Sequence, residues 1–148
     1  MNPVRLRRTV AALAVLAILA GASSGCTPSP TAPSAYAPYS QTDLVVGTGT
    51  TAASGNTVTV NYTGWLYDDS KTDKKGLQFE TSKGNTTFQF ILGAGQVIAG
   101  WDRGVVGMNV GGTRRLILPP SLAYGANRNS VIPPNATLVF EIDVVAVQ

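Results

Sequence analysis

Two stretches of strict alternation constrain the fold of this chain more than any other feature. In Thr137–Val147, Leu138, Phe140, Ile142, Val144 and Ala146 fall on one side, with Glu141 and Asp143 on the other. In Thr57–Leu66, Val58, Val60, Tyr62, Gly64 and Leu66 share a side opposite Thr57, Thr59, Asn61, Thr63 and Trp65. Successive side chains of a strand point to opposite faces, so each stretch is expected to be a strand with one buried face. Thr87–Leu92 and Gly112–Leu118 are further strand candidates, and Leu44–Val46 and Leu77–Thr81 are shorter ones. Clusters of Asn, Asp, Gly, Lys and Pro separate them as turns. One segment departs from this period. In Gln96–Gly104, Val97, Ile98 and Trp101 recur at helical spacing, and Val105 continues the face. Its glycines make it a weak isolated helix that depends on packing. The expected fold class is α+β: an antiparallel sheet with one short helix, closing over Trp101 and leaving a concave mouth.

The chain has no histidine and a single cysteine in 148 residues. A Ser-His-Asp triad, an HExxH zinc site and an imidazole general base are therefore excluded. So are an internal disulfide, a CxxC redox pair and a thiolate metal cluster. No metal and no cofactor is expected. Gly93-Ala94-Gly95 followed by Gly100 imitates a dinucleotide loop, but no βαβ unit surrounds it, and turn glycines account for it better. The net charge of +3 is carried by Arg5, Arg7 and Arg8, and the remainder of the chain is formally neutral. No basic footprint for nucleic acid is left. The charged run Tyr67–Leu77 is expected to be a solvated hairpin tip.

Residues 1–25 have the organisation of an export signal, with MNPVRLRR as a positive n-region and TVAALAVLAILAGA as an apolar h-region. A helix of that apolar length covers roughly 21 Å, short of the roughly 30 Å bilayer core, which argues against an uncut anchor. The lone Cys26 follows Ala22-Ser23-Ser24-Gly25 in an arrangement that resembles a bacterial lipoprotein signal. That resemblance implies lipidation of Cys26 as the mature N-terminus, and the position of the only cysteine favours it. Ordinary cleavage after Ala20-Gly21-Ala22 is the other route. Residues 26–40 carry four prolines and no charge, and are expected to be a disordered tether ahead of one folded domain at 41–148.

Within that domain, VTVNYTGWL (58–66), LQFETS (77–82), FQFILGAGQVIAGWDRGVVGMNVGGTRRLILPPSLAYG (88–125) and VIPPNATLVFEIDVV (131–145) resemble, in order, the FKBP-type peptidyl-prolyl cis-trans isomerases. The resemblance implies a half-barrel of curved antiparallel sheet wrapped around one short α-helix. It also implies rotation about Xaa-Pro bonds, a reaction that needs no nucleophile, metal or cofactor. It assigns Tyr62, Phe79, Glu80, Trp101, Tyr124 and Phe140 to the catalytic pocket, with Trp101 as the floor beneath the prolyl ring. Phe88, Val97, Ile98, Val131 and Ile132 would bind substrate, the Ile98 N–H holding a substrate carbonyl and Val131-Ile132 forming a mobile rim. Taken alone, aromatics at alternating strand positions are core residues by default. Three features depart from the family pattern. Glu80 stands where aspartate is usual, the segment from Phe79 to Phe88 is one residue short, and so is the loop from Tyr124 to Ile132 with Arg128-Asn129-Ser130 at its tip. The partners implied are proline-containing segments of exported proteins, macrolide inhibitors of the family, and a membrane reached through lipid on Cys26. A monomer facing the periplasm or cell exterior is expected. The competing reading is a non-catalytic, proline-recognising binding module or chaperone.

Overall fold

The computed structural model describes residues 36–127 and 131–148. The signal segment, Cys26, most of the expected tether and the Arg128-Asn129-Ser130 tip lie outside the described residues. In chain order the elements are β1 (Ser40–Val45), β2 (Thr57–Tyr67), β3 (Lys75–Thr81), β4 (Phe88–Ile91), α1 (Ala99–Gly104), β5 (Thr113–Leu118) and β6 (Leu138–Val147). A 3-10 turn at Pro120–Leu122 follows β5. All strand pairs are antiparallel, in the order β1-β5-β6-β2-β3. The two most clearly alternating segments, β2 and β6, form the centre and pair from Val58↔Val147 to Leu66↔Leu138. The other edge of β2 is shared: β4 pairs with Thr57–Val60 and β3 with Thr63–Tyr67, residues 82–87 intervening.

The inner face of this open sheet buries Val58, Val60, Leu116, Leu118, Leu138, Phe140, Ile142 and Val144 against Trp101, Val105 and Met108. Alternation holds along β6 as far as Val144 and then changes. Thr59 faces Ala146 while Val60 faces Val144, so Val145 is an extra, exposed residue. Val147, not the expected Ala146, consequently packs against the core. A bulge of one residue inverts which side chains point inward.

The helix is shorter than its periodicity suggests, starting at Ala99 instead of Gln96. Ile98 is extended (φ −59°, ψ 145°), and the Gln96 side-chain oxygen accepts the Ile91 N–H at 2.9 Å. Gln96-Val97-Ile98 is thus a strap leading into α1. The helical glycines have a packing purpose. A Cβ on Gly100 or Gly104 would come within 2.5 and 2.6 Å of methyl groups of Leu118 and Leu116. Their absence lets α1 lie directly on β5, with Trp101 in the concavity of the sheet. Arg114 closes the far end of α1: its guanidinium donates to Gly104 O (2.8 Å) and Val106 O (3.1 Å) and is held by the Asp43 carboxylate of β1. Helix-end carbonyls that would otherwise be unpaired are satisfied in this way. Just before β1, Tyr39 packs against the core with the Arg103 guanidinium 4.2 Å from its ring centre.

Candidate functional site

The site is set on the inner face by a second bulge. Gly64 faces Glu80 and Trp65 faces Gln78, which leaves Phe79 as the additional residue of β3. Simple alternation would send one of two adjacent residues to the outer face; the bulge turns both Phe79 and Glu80 inward. Phe79 fills the space left by the missing side chain of Gly64, where a Cβ would sit 2.6 Å from Phe79 and 2.8 Å from Phe140. Its ring meets Phe140 edge-on, at 5.7 Å and 88°.

Above this support lies a cavity of about 430 Å³, a volume typical of small-molecule sites. Its described lining is Tyr62, Glu80, Phe88, Gln96, Val97, Ile98, Trp101, Tyr124 and Phe140. Trp101 is the hub. It meets Tyr62 at 4.9 Å and 76°, Phe140 at 5.3 Å and 89°, and Phe88 at 6.1 Å and 79°, all edge-to-face. Phe90 supports it at 5.9 Å from the buried side. Edge-to-face contacts contribute about 0.5–1.5 kcal/mol each beyond area burial and fix ring orientation, so the cup is preorganised. The Trp101 indole N–H is buried and finds no acceptor among the described residues.

The strap that carries Val97 and Ile98 is clamped from below. The Asp102 carboxylate accepts the N–H groups of Gly93 (2.8 Å) and Gly95 (2.9 Å), both at positive φ, where a side chain would be strained. Ile98 O receives the N–H groups of Trp101 and Asp102, while the Ile98 N–H donates to no group among the described residues. On the opposite wall the Ser82 hydroxyl accepts the Tyr62 N–H at 2.9 Å and pins that strand to the segment after β3.

At the mouth, burial together with the hydrogen bond and negative charge of Glu80 pushes the Tyr62 phenol up to about 12. Burial and the same carboxylate also push up Tyr124, which is 37% exposed. Both phenols therefore stay protonated and can donate hydrogen bonds across the physiological range. An apolar cup with neutral donors at its rim can grip a small ring and hold carbonyls.

Of the residues expected from sequence, Tyr62, Glu80, Phe88, Val97, Ile98, Trp101, Tyr124 and Phe140 come together around the cavity. Phe79, Val131 and Ile132 do not line it. Phe79 stands behind Phe140, Val131 is half exposed, and Ile132, expected at a mobile rim, is buried in the core cluster. Sequence reasoning missed Gln96 and Asp102. The signal for Asp102 was available as a carboxylate directly after the helix tryptophan, following a GAG turn. Gln96 gave none, because its role depends on a bond back to Ile91.

Comparison with known proteins agrees with this geometry. The family model described as FKBP-type peptidyl-prolyl cis-trans isomerase matches residues 48–145. The FK506-binding protein of Neisseria meningitidis serogroup B is 43% identical over 107 residues, covering 71% of this chain and 92% of that protein. The 46 kDa FK506-binding nuclear protein of Spodoptera frugiperda is 46% identical over 103 residues, which is 69% of this chain. The chain spans about a quarter (24%) of the length of that insect relative. The crystal structure of FkpA from Escherichia coli superposes with a TM-score of 0.60 at 35% identity, covering 74% of this chain and 48% of that one. With fold, site geometry and sequence in agreement, the chain belongs to the FKBP-type peptidyl-prolyl cis-trans isomerase family.

Proposed function

We propose that this protein catalyses cis-trans rotation about Xaa-Pro peptide bonds in exported polypeptides, and that lipid on Cys26 holds it at a membrane as a monomer. The observation that carries the catalytic reading is the edge-to-face cup of Tyr62, Phe88, Trp101 and Phe140, with the neutral phenols of Tyr62 and Tyr124 at its mouth. Amide resonance sets a barrier of about 18–20 kcal/mol. Water stabilises the dipolar planar amide more than the twisted one, so transfer of the bond to an apolar cavity lowers the barrier. The prolyl ring would seat on Trp101 while Tyr124 and the Ile98 N–H hold flanking carbonyls, leaving the Xaa carbonyl to swing. No proton or electron moves.

The test is cis-to-trans exchange of a Xaa-Pro peptide by the purified full chain, with and without FK506, the ligand in the names of its relatives. Turnover abolished by the macrolide is the expected result. Tight macrolide binding without turnover would replace the enzyme with a binding module, and neither turnover nor binding would remove the site altogether. Anchoring is tested separately: Cys26→Ser should move the protein from the membrane to the soluble fraction, and an unchanged distribution would refute the lipid. A doubled mass in light scattering of the detergent-solubilised protein would refute the monomer.

A further inference from the structure

The bulge in β3 gives Glu80 a second consequence. Its carboxylate is brought to the cavity mouth, and no other described lining residue carries a charge. Nearby cations are engaged elsewhere. Lys83, the one cation between β3 and β4, is bonded to Asp143 at 2.8 Å, and Lys75 and Arg115 both serve Glu141, at 2.7 and 2.8 Å. Among the described residues Glu80 thus has a tyrosine hydroxyl for company and no cation within salt-bridge distance. Its charge reaches across the mouth, adding to burial in raising the pKa of both Tyr62 and Tyr124.

Resting on the isomerase reading above, we infer that Glu80 makes this site selective for prolines that have a lysine or arginine next to them, and disfavours those flanked by acidic residues. With the proline ring on Trp101, flanking side chains have to lie at the mouth, where the only charge among the described lining residues is negative. A solvent-exposed charge pair at such distances contributes modestly and is screened by salt. Attraction for one sign and repulsion of the other together amount to roughly tenfold between lysine and glutamate substrates at low ionic strength.

The experiment measures kcat/KM of the full chain on peptides with lysine, norleucine or glutamate before proline, then on a second series varied after proline. Norleucine matches lysine in apolar length without its charge. The expected order is lysine, norleucine, glutamate in at least one series, with the spread collapsing in 0.5 M salt. Glu80→Gln should bring the lysine-to-glutamate ratio close to one, and Glu80→Asp should retain it. Because each variant is judged by a ratio between substrates, a general loss of activity does not mimic the effect. Equal rates for the three peptides, or a ratio surviving in Glu80→Gln, would overturn the inference. So would a bias that emerges only when Arg128, outside the described residues, is changed to Gln. Absence of turnover even on the norleucine peptide would instead strike the isomerase reading itself.

Discussion

The two faces of the same strands are built on different physics. Phe140 and Glu141 are neighbours on β6. Phe140 is sealed into the aromatic cup, while Glu141 on the outer face binds Lys75 of β3 and Arg115 of β5. Two residues further, Asp143 takes Lys83 and the Thr113 hydroxyl. Trp65 lies beneath Lys75, whose ammonium is 4.4 Å from the ring centre. Inner contacts are apolar, with rings set edge-to-face, and yield a shape. Outer contacts are directional and tie strands across the sheet, from β3 through β6 to β5. The molecule thereby secures its strand register with charges on the outer face, and Glu80 is the one charged residue among the described lining of the cavity.

The comparison breaks most visibly at Phe140. Phe140→Ala should destabilise the fold by about 3–5 kcal/mol in denaturant unfolding and abolish turnover, because a cavity-forming truncation removes the partner of Trp101, Tyr62 and Phe79 together. Retained turnover at a protein concentration where the fold persists would mean that the cup is only core. Arg114 is a buried charge on the inner face. Arg114→Leu should cost about 2 kcal/mol, since Gly104 O and Val106 O lose their donor. A neutral result would show that water replaces the guanidinium.

On the outer face, Glu141→Gln should cost about 1 kcal/mol or less and leave turnover unchanged. Burial pushes the Glu141 carboxyl up, but hydrogen bonds and charge from Lys75 and Arg115 outweigh it and hold it below its usual value of 4.5. A carboxyl lowered in the folded state stabilises the protein above its unfolded pKa, and that stabilisation is lost as pH falls through the folded value. Acid unfolding curves of wild type and Glu141→Gln should therefore draw together as pH falls below 4.5 and meet once it has passed the lowered folded value. The smallest effect sharpens the comparison from within the cavity. Turnover should be flat from pH 6 to 9, as the chain has no histidine and Tyr62 ionises only at about 12. A bell-shaped profile centred near neutrality would point to acid-base chemistry that these residues do not supply.

Central β2 and β6 were legible because a buried face imposes a period of two and both segments are long enough to display it. The cup was legible through resemblance, not through spacing, since the same aromatics in the same rhythm describe any core. What the sequence concealed is made by irregularity and by distance. The bulge that exposes Val145 and exchanges Ala146 for Val147, and the one that aims both Phe79 and Glu80 inward, leave no local mark in composition. The late start of α1 follows from Gln96 bonding back to Ile91, and the burial of Arg114 follows from Asp43, 71 positions earlier.

The divided partner of β2 has a consequence for engineering. β3 is tied to one half of that strand and β4 to the other, so residues 82–87 bridge two pairings that are each fixed independently. Length can be added or removed within residues 84–87, past the buried Ser82 that holds Tyr62 and the Lys83 that holds Asp143, and closing such a surface connection grows more costly only slowly with its length. This connection is the natural place to graft a recognition segment beside the cup, changing which polypeptides are delivered to it while the barrel-like core stays as it is.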